Sequence, residues 1–227
     1  MNKIIFTFVF LIISSSFGAY AASGSADKYE VTMKKVEFCI SSACSSPTVI
    51  ATGSQNVDIA SLNAGAEAAS FGTTSGLTPG TTYTNLRVTL NRAFTMSGTV
   101  TDGSNTCTTD GDAAGTATAL HAGTKNDTSG KTDTTIYIAD AGDYGSGGNI
   151  TLSYSNPSYA FKMTIGSPTT SEMQLIYTLQ DAYTVGLTTP KIKVAFNVST
   201  ALGAAVDAGG TCRMWANEPY VTITLTD

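Results

Sequence analysis

The chain has 227 residues, a formal net charge of −5, four cysteines and a single histidine. An acidic balance with no basic run argues against a nucleic-acid partner or an anionic membrane surface. Charged residues make up only 13%, against the roughly 25% usual in globular domains, and Thr, Ser, Gly and Ala take their place.

The first residues read as an export signal. Lys3 supplies the positive charge, Ile4 to Ile13 is an apolar run broken by Thr7, and Ala19-Tyr20-Ala21 is a small-x-small cleavage site. About ten apolar residues are too few to span a bilayer, which takes about twenty. Residues 1–21 are therefore expected to be removed as a signal peptide. That leaves 22–227 as a single secreted domain, 227 − 21 = 206 residues, long enough to bury a core. No membrane insertion is expected after cleavage. The expected location is extracellular or the cell surface, with the periplasm as the other oxidising compartment.

The mature chain opens on Tyr29 to Ile40. Tyr29, Val31 and Met33 alternate with polar residues; after Lys34-Lys35 the alternation resumes at Val36, Phe38 and Ile40, one residue out of phase. Alternation at period two marks a strand with one buried face. A slip of one residue is what a β-bulge does, because the extra residue lets both halves face one core. Tyr29, Val31, Met33, Val36 and Phe38 thus define a strong N-terminal strand. Behind the short leader Ala22 to Asp27, this strand is a candidate for addition to a neighbouring subunit's sheet.

Four cysteines allow three pairings. Cys39 and Cys44 have four residues between them and fit a local staple at the end of the first strand; Cys107 and Cys212 then form a long-range bridge. Neither paired C-x-x-C spacing nor nearby histidines support a metal site built on these cysteines.

Short strands are expected at Thr48 to Ala51 and at Val57 to Ala60, separated by a turn at Gly53 to Gln55. Leu62 to Ser75, rich in Ala, Gly and Ser, reads as a loop with at most a turn of helix. Thr78-Pro79-Gly80-Thr81 is a type II turn signal, with Pro at the second position and Gly at the third. Leu86, Val88 and Leu90, followed beyond Asn91-Arg92-Ala93 by Phe94, Met96 and Val100, read as a hairpin.

Asp102 to Gly130 reads as an irregular insertion pinned at Cys107. Asp102, Asp110 and Asp112 lie in it among glycines. Ca²⁺ takes six to eight oxygen ligands from a turning chain, so these three are the candidate Ca²⁺ residues, although the EF-hand frame is missing. No other cofactor is expected.

Strands resume at Thr134 to Ala139, Ile150 to Tyr154 and Phe161 to Ile165. Met173 to Leu179 is a denser apolar run that suggests burial on both faces. Ile192 to Val198 alternates, Ala201 to Gly210 reads as a Gly/Ala loop, and Tyr220 to Leu225 closes the chain.

The sum is an all-β, antiparallel β-sandwich, immunoglobulin-like or jelly-roll-like, of about nine to eleven strands and stapled by disulfides. No catalytic set emerges, and no enzyme is expected. His121 has no nucleophile signature near it. The acids Glu30, Glu37, Glu67, Glu172 and Glu218 form no pair legible in sequence. Trp215 and nearby Tyr220, with Tyr137, Tyr144, Tyr154 and Tyr159, could form a sugar platform or a packed core. The chain is similar in style to bacterial pilin, adhesin and matrix-fibre subunits, with no diagnostic motif for a family. The expected function is a secreted or cell-surface structural protein that assembles with itself into a fibre, pilus or matrix. The alternative is an adhesin module for glycans or another extracellular ligand.

Overall fold

A computed structural model describes residues 22–61, 76–111, 121–126, 130–138, 141, 146–155, 160–166, 171–187, 191–207 and 209–226. The expected signal peptide, the Leu62 to Ser75 loop, Asp112, Tyr144 and Tyr159 lie outside them. The described residues form fifteen strands: β1 (Ala22–Gly24), β2 (Ala26–Cys39), β3 (Thr48–Asp58), β4 (Thr82–Asn91), β5 (Ala93–Asp102), β6 (Asn105–Thr108), β7 (His121–Lys125), β8 (Thr134–Tyr137), β9 (Ile150–Ser155), β10 (Ala160–Ile165), β11 (Glu172–Thr184), β12 (Lys191–Asn197), β13 (Leu202–Val206), β14 (Cys212–Ala216) and β15 (Tyr220–Thr226).

The fold is all-β and its strands pair antiparallel. The layers come from one long sheet in the order β1-β13-β14-β7-β6-β5-β2-β4-β11-β10-β9, with β3 added on β2 and β8 on β5. The hairpin β12–β15 forms a separate two-stranded sheet. Its Phe196, Val221 and Ile223 pack into the same hydrophobic cluster as Phe161 from one arm of the long sheet and Met214 from the other. The sheet is thus curled so that both arms share this core.

β2 is the axis. Its first half pairs with β5 (Lys28 opposite Ser97, Glu30 opposite Thr95) and its second half with β4 (Met33 opposite Leu90, Phe38 opposite Leu86). Its other edge pairs with β3 from Glu30 to Phe38. The register shifts between Met33 and Lys35 on both edges, where the sequence slips phase. The bulge turns Tyr29 and Val31 into the larger core cluster and Val36 and Phe38 into the smaller one.

Several expectations need correction. β4 and β5 are not arms of a hairpin but two halves of one line, bent at Arg92, that runs antiparallel to β2. A tight two-residue hairpin needs positive backbone φ in the turn, and Asn91, Arg92 and Ala93 have none. Buried Arg92 holds the bend: its N–H donates to Ser171 O (2.8 Å), its Nη1 to Ile138 O (2.6 Å), and its carbonyl accepts from Ile138 N (2.9 Å).

The two short strands around Gly53 are one strand, β3, whose irregularities are absorbed as register shifts. Within the expected insertion, β6 and β7 carry the sheet from β5 to β14. Short Thr-rich segments without apolar alternation gave no strand signal there. The expected Gly/Ala loop contains β13, where Leu202 and Ala204 are fully buried. In β11 burial alternates, with Met173, Leu175, Tyr177 and Leu179 inside and Thr178 exposed, so one face is covered rather than two. The Thr78–Thr81 turn closes as expected, with Gly80 at φ 79° and Thr81 N donating to Thr78 O at 3.1 Å.

Candidate functional site

The five residues of the expected donated strand sit inside their own chain. Tyr29, Val31, Val36 and Phe38 are buried, and Met33, partly buried, packs against the cluster that holds Tyr29 and Val31. Burial pushes the Tyr29 phenol far above its ordinary range, with a smaller push from the Glu218 carboxylate. Its hydroxyl stays protonated and donates to Asn217 O at 2.9 Å. Because both edges of β2 are filled by β3, β4 and β5, its removal would open the core. β1 is placed differently. It has three residues and forms the outer end of the long sheet, with Ala22, Ser23 and Gly24 opposite Ala204, Gly203 and Leu202 of β13. Exposed Ser25 joins it to β2. A Cβ on Gly24 would come within 2.9 Å of Thr99 O, so glycine is what lets β1 lie this close to β5.

The structure joins Cys39 to Cys44 and Cys107 to Cys212. The first staple closes the turn after β2. The second ties β6 to β14 within the larger core cluster. Both are compatible with an oxidising compartment.

Beside the first staple lies a buried ion cluster. Glu37, 1% exposed, receives Arg87 Nε at 2.6 Å on one carboxylate oxygen and Lys35 Nζ at 2.7 Å on the other. Arg87 Nη1 also donates to Cys44 O at 3.3 Å. Burial pushes the Glu37 carboxyl up, but the two cations outweigh it and hold it below its ordinary value of 4.5. A carboxylate committed in this way is a structural tie, not a free acid or base.

Of the candidate Ca²⁺ residues, Asp112 lies outside the described residues. Asp102 accepts Val206 N–H at 3.0 Å, and Asp110 forms an isolated bridge with Thr132. Among the described residues no three His, Cys, Asp or Glu side chains gather as a metal site. His121 falls on β7, opposite Met214, rather than in a loop.

The aromatics split between core and surface. Trp215 lies across Gly203, its cross-strand partner, where a Cβ would collide with the indole; its Nε1 donates to Asn217 Oδ1 at 2.9 Å. Tyr154 on β9 is 41% exposed and stacks on Phe161 at 4.9 Å. Tyr220 is exposed at the start of β15, and Tyr137 is half-buried on β8.

Sequence reading missed a depression of about 570 Å³, lined among the described residues by Asp27, Ser97, Thr99, Thr106, Thr108, Gly130 and Lys131. β5 and β6 build its floor. Thr99 stands opposite Thr108 and Thr101 opposite Thr106, so their side chains share the face away from Val100 and Cys107, which enter the core. Asp27 is the residue that the register shift between Ala26 and Lys28 leaves over, and bulges of this kind re-aim a side chain. It pairs with Lys131 at 2.5 Å, while neighbouring Lys28 pairs with Asp133 at 2.7 Å. The only signal in the sequence was the run of hydroxyl residues. No protein-family model, curated protein or solved structure matches the chain.

Proposed function

We propose that the chain is a secreted or cell-surface structural subunit that assembles with itself by strand addition at the sheet edge, and that it is not an enzyme. The observation that carries this reading is the position of β1. It is the first segment after the expected cleavage site, it is paired through only three residues, and it is hinged at exposed Ser25. A neighbour's β1 could take the same place on β13, exchanging like for like, which is a low-cost route between copies. Passed from each copy to the next without closing, that contact builds a filament, with backbone hydrogen bonds supplying the affinity. Low surface charge and Thr/Ser-rich faces favour close approach of copies. Donation is thereby assigned to β1 and no longer to Tyr29–Phe38, whose side chains hold the core.

The test is size-exclusion chromatography and negative-stain electron microscopy of the mature, oxidised chain, beside a variant lacking Ala22–Gly24. Filaments or large ordered oligomers are expected for the full mature chain and monomers of unchanged circular dichroism for the variant. A full chain that stays monomeric at every concentration overturns assembly. Filaments that persist in the variant overturn the route through β1.

A further inference from the structure

We infer that the seat of β1, between the edge of β13 and the backbone of β5, takes only strands with glycine at the third position, and that the partner it fits is the Ala22–Gly24 segment of a second copy of this chain. The inference rests on the reading of β1 as the exchanged strand and adds what selects that strand.

A bare sheet end is unselective. Its N–H and C=O groups are shared by every residue type and pair with any extended chain. Selection has to come from the space left for side chains, and at this seat that space is missing. A Cβ on Gly24 would lie 2.9 Å from Thr99 O and 3.2 Å from Val100 Cγ2. The nearer atom is a backbone oxygen, on a residue that β5 pairs with Thr108 of β6, so it does not swing aside as a flexible side chain does. Gly98 of β5 answers Gly24. A Cβ there would lie 2.9 Å from both Ser25 O and Leu202 Cδ2. Each glycine thus lies against the other strand's backbone where the chain crosses from β13 to β5. Neither has a positive φ, so close approach and not backbone conformation is what calls for glycine at both positions.

The other positions are less demanding. Ala22 stands opposite fully buried Ala204 and packs against the larger core cluster. Ser23 is exposed, so its side chain is not read. The seat therefore selects small, any, glycine, in that order. It works by collision with wrong strands more than by added attraction to the right one. A second copy satisfies the rule, because the structure shows the same three residues seated.

The test supplies the strand in trans. The receptor is the mature, oxidised full chain carrying Gly24→Val, whose own β1 is expected to leave the seat; far-ultraviolet circular dichroism checks that it is folded. If it does not fold, the chain lacking Ala22–Gly24 takes its place. A labelled peptide with the sequence of Ala22–Asp27 is titrated in, and fluorescence anisotropy reads binding. The peptide is expected to bind, and to bind at least about tenfold more weakly when it carries Gly24→Val itself, because the added bulk meets backbone. Changing the peptide leaves the receptor's fold untouched. Equal binding of the two peptides overturns the glycine rule, and no binding of the glycine peptide overturns the seat. Unfolding of both receptors overturns it too, because β1 would then be an integral part of the core. Self-assembly is read separately on the wild-type chain by electron microscopy. A wild-type chain that stays monomeric while the glycine peptide binds selectively removes the second copy as occupant and leaves the glycine rule; wild-type filaments without peptide selectivity remove the rule and leave assembly.

Discussion

Glu37 shows most clearly how burial and charge are balanced in this protein. Its carboxylate is almost wholly removed from water, yet Arg87 and Lys35 keep it ionised. Because its carboxyl ionises more readily folded than unfolded, the stability it contributes is present above the unfolded value, near pH 4.5, and is lost as pH falls through the lower folded value. Glu37→Gln keeps the shape and removes the charge. It is expected to cost about 2–3 kcal/mol at pH 7, because Arg87 is left without its counter-ion. Below pH 4 the gap between variant and wild type should narrow. Urea denaturation at pH 7, 5 and 3.5 checks this, and a constant gap would show that the carboxylate's charge does not contribute. Alternation already turned Glu37 away from Phe38, but nothing local showed that this second face would also be buried. Arg87, which pairs with Glu37 there, lies fifty positions along the chain, and Cys44, whose carbonyl accepts from Arg87, lies seven.

At the scale of elements, the two disulfides do different work. The Cys39–Cys44 bridge closes a sequence separation of 5 residues and the Cys107–Cys212 bridge one of 105. On the chain-entropy model, the short loop stabilises by about 2 kcal/mol and the long one by about 4–5 kcal/mol. The paired variant Cys107→Ser, Cys212→Ser should therefore lower the urea midpoint much further than Cys39→Ser, Cys44→Ser. Equal midpoints would mean that the β6–β14 link is redundant with sheet pairing. Elements with strong alternation were legible from the chain alone: β2 with its bulge, the β9–β10 pair and β15. β6, β7, β13 and β14 were not, because segments of four or five residues, in β6, β7 and β13 made largely of Thr, Ala and Gly, carry too little pattern. Leu202–Val206 is a strand because β14 and β1 flank it and the core lies under Leu202 and Ala204.

At the scale of the molecule, β2 makes the two hydrophobic clusters one unit. Tyr29 and Val31 anchor the larger cluster and Val36 and Phe38 the smaller, on a single strand paired along both edges. Unfolding is expected to be a single transition: Trp215 fluorescence, which reports the β13–β14 arm, and far-ultraviolet circular dichroism, which reports the whole, should share one urea midpoint. Two separated midpoints would show that the bulge at Lys34 uncouples the arms. Many pairings join residues far apart in sequence, such as Ala22 with Ala204. Folding should accordingly be slow for the chain's size.

By itself the sequence determined the class of the fold, the phase slip in the first long strand, the weakly charged Thr-rich surface and the separation of a local staple from a distant pair of cysteines. These are carried by residue type and by spacing along the chain. Only the tertiary structure decided which edges meet. A strand's hydrogen-bonding edge is made of backbone groups that every residue shares, so sequence alone left open that β4 and β5 line up along β2 instead of folding on each other. The same reason hid the placement of β1 on β13 and the pairing of Asp27 with Lys131. Each depends on contacts between segments that become neighbours only when the sheet curls.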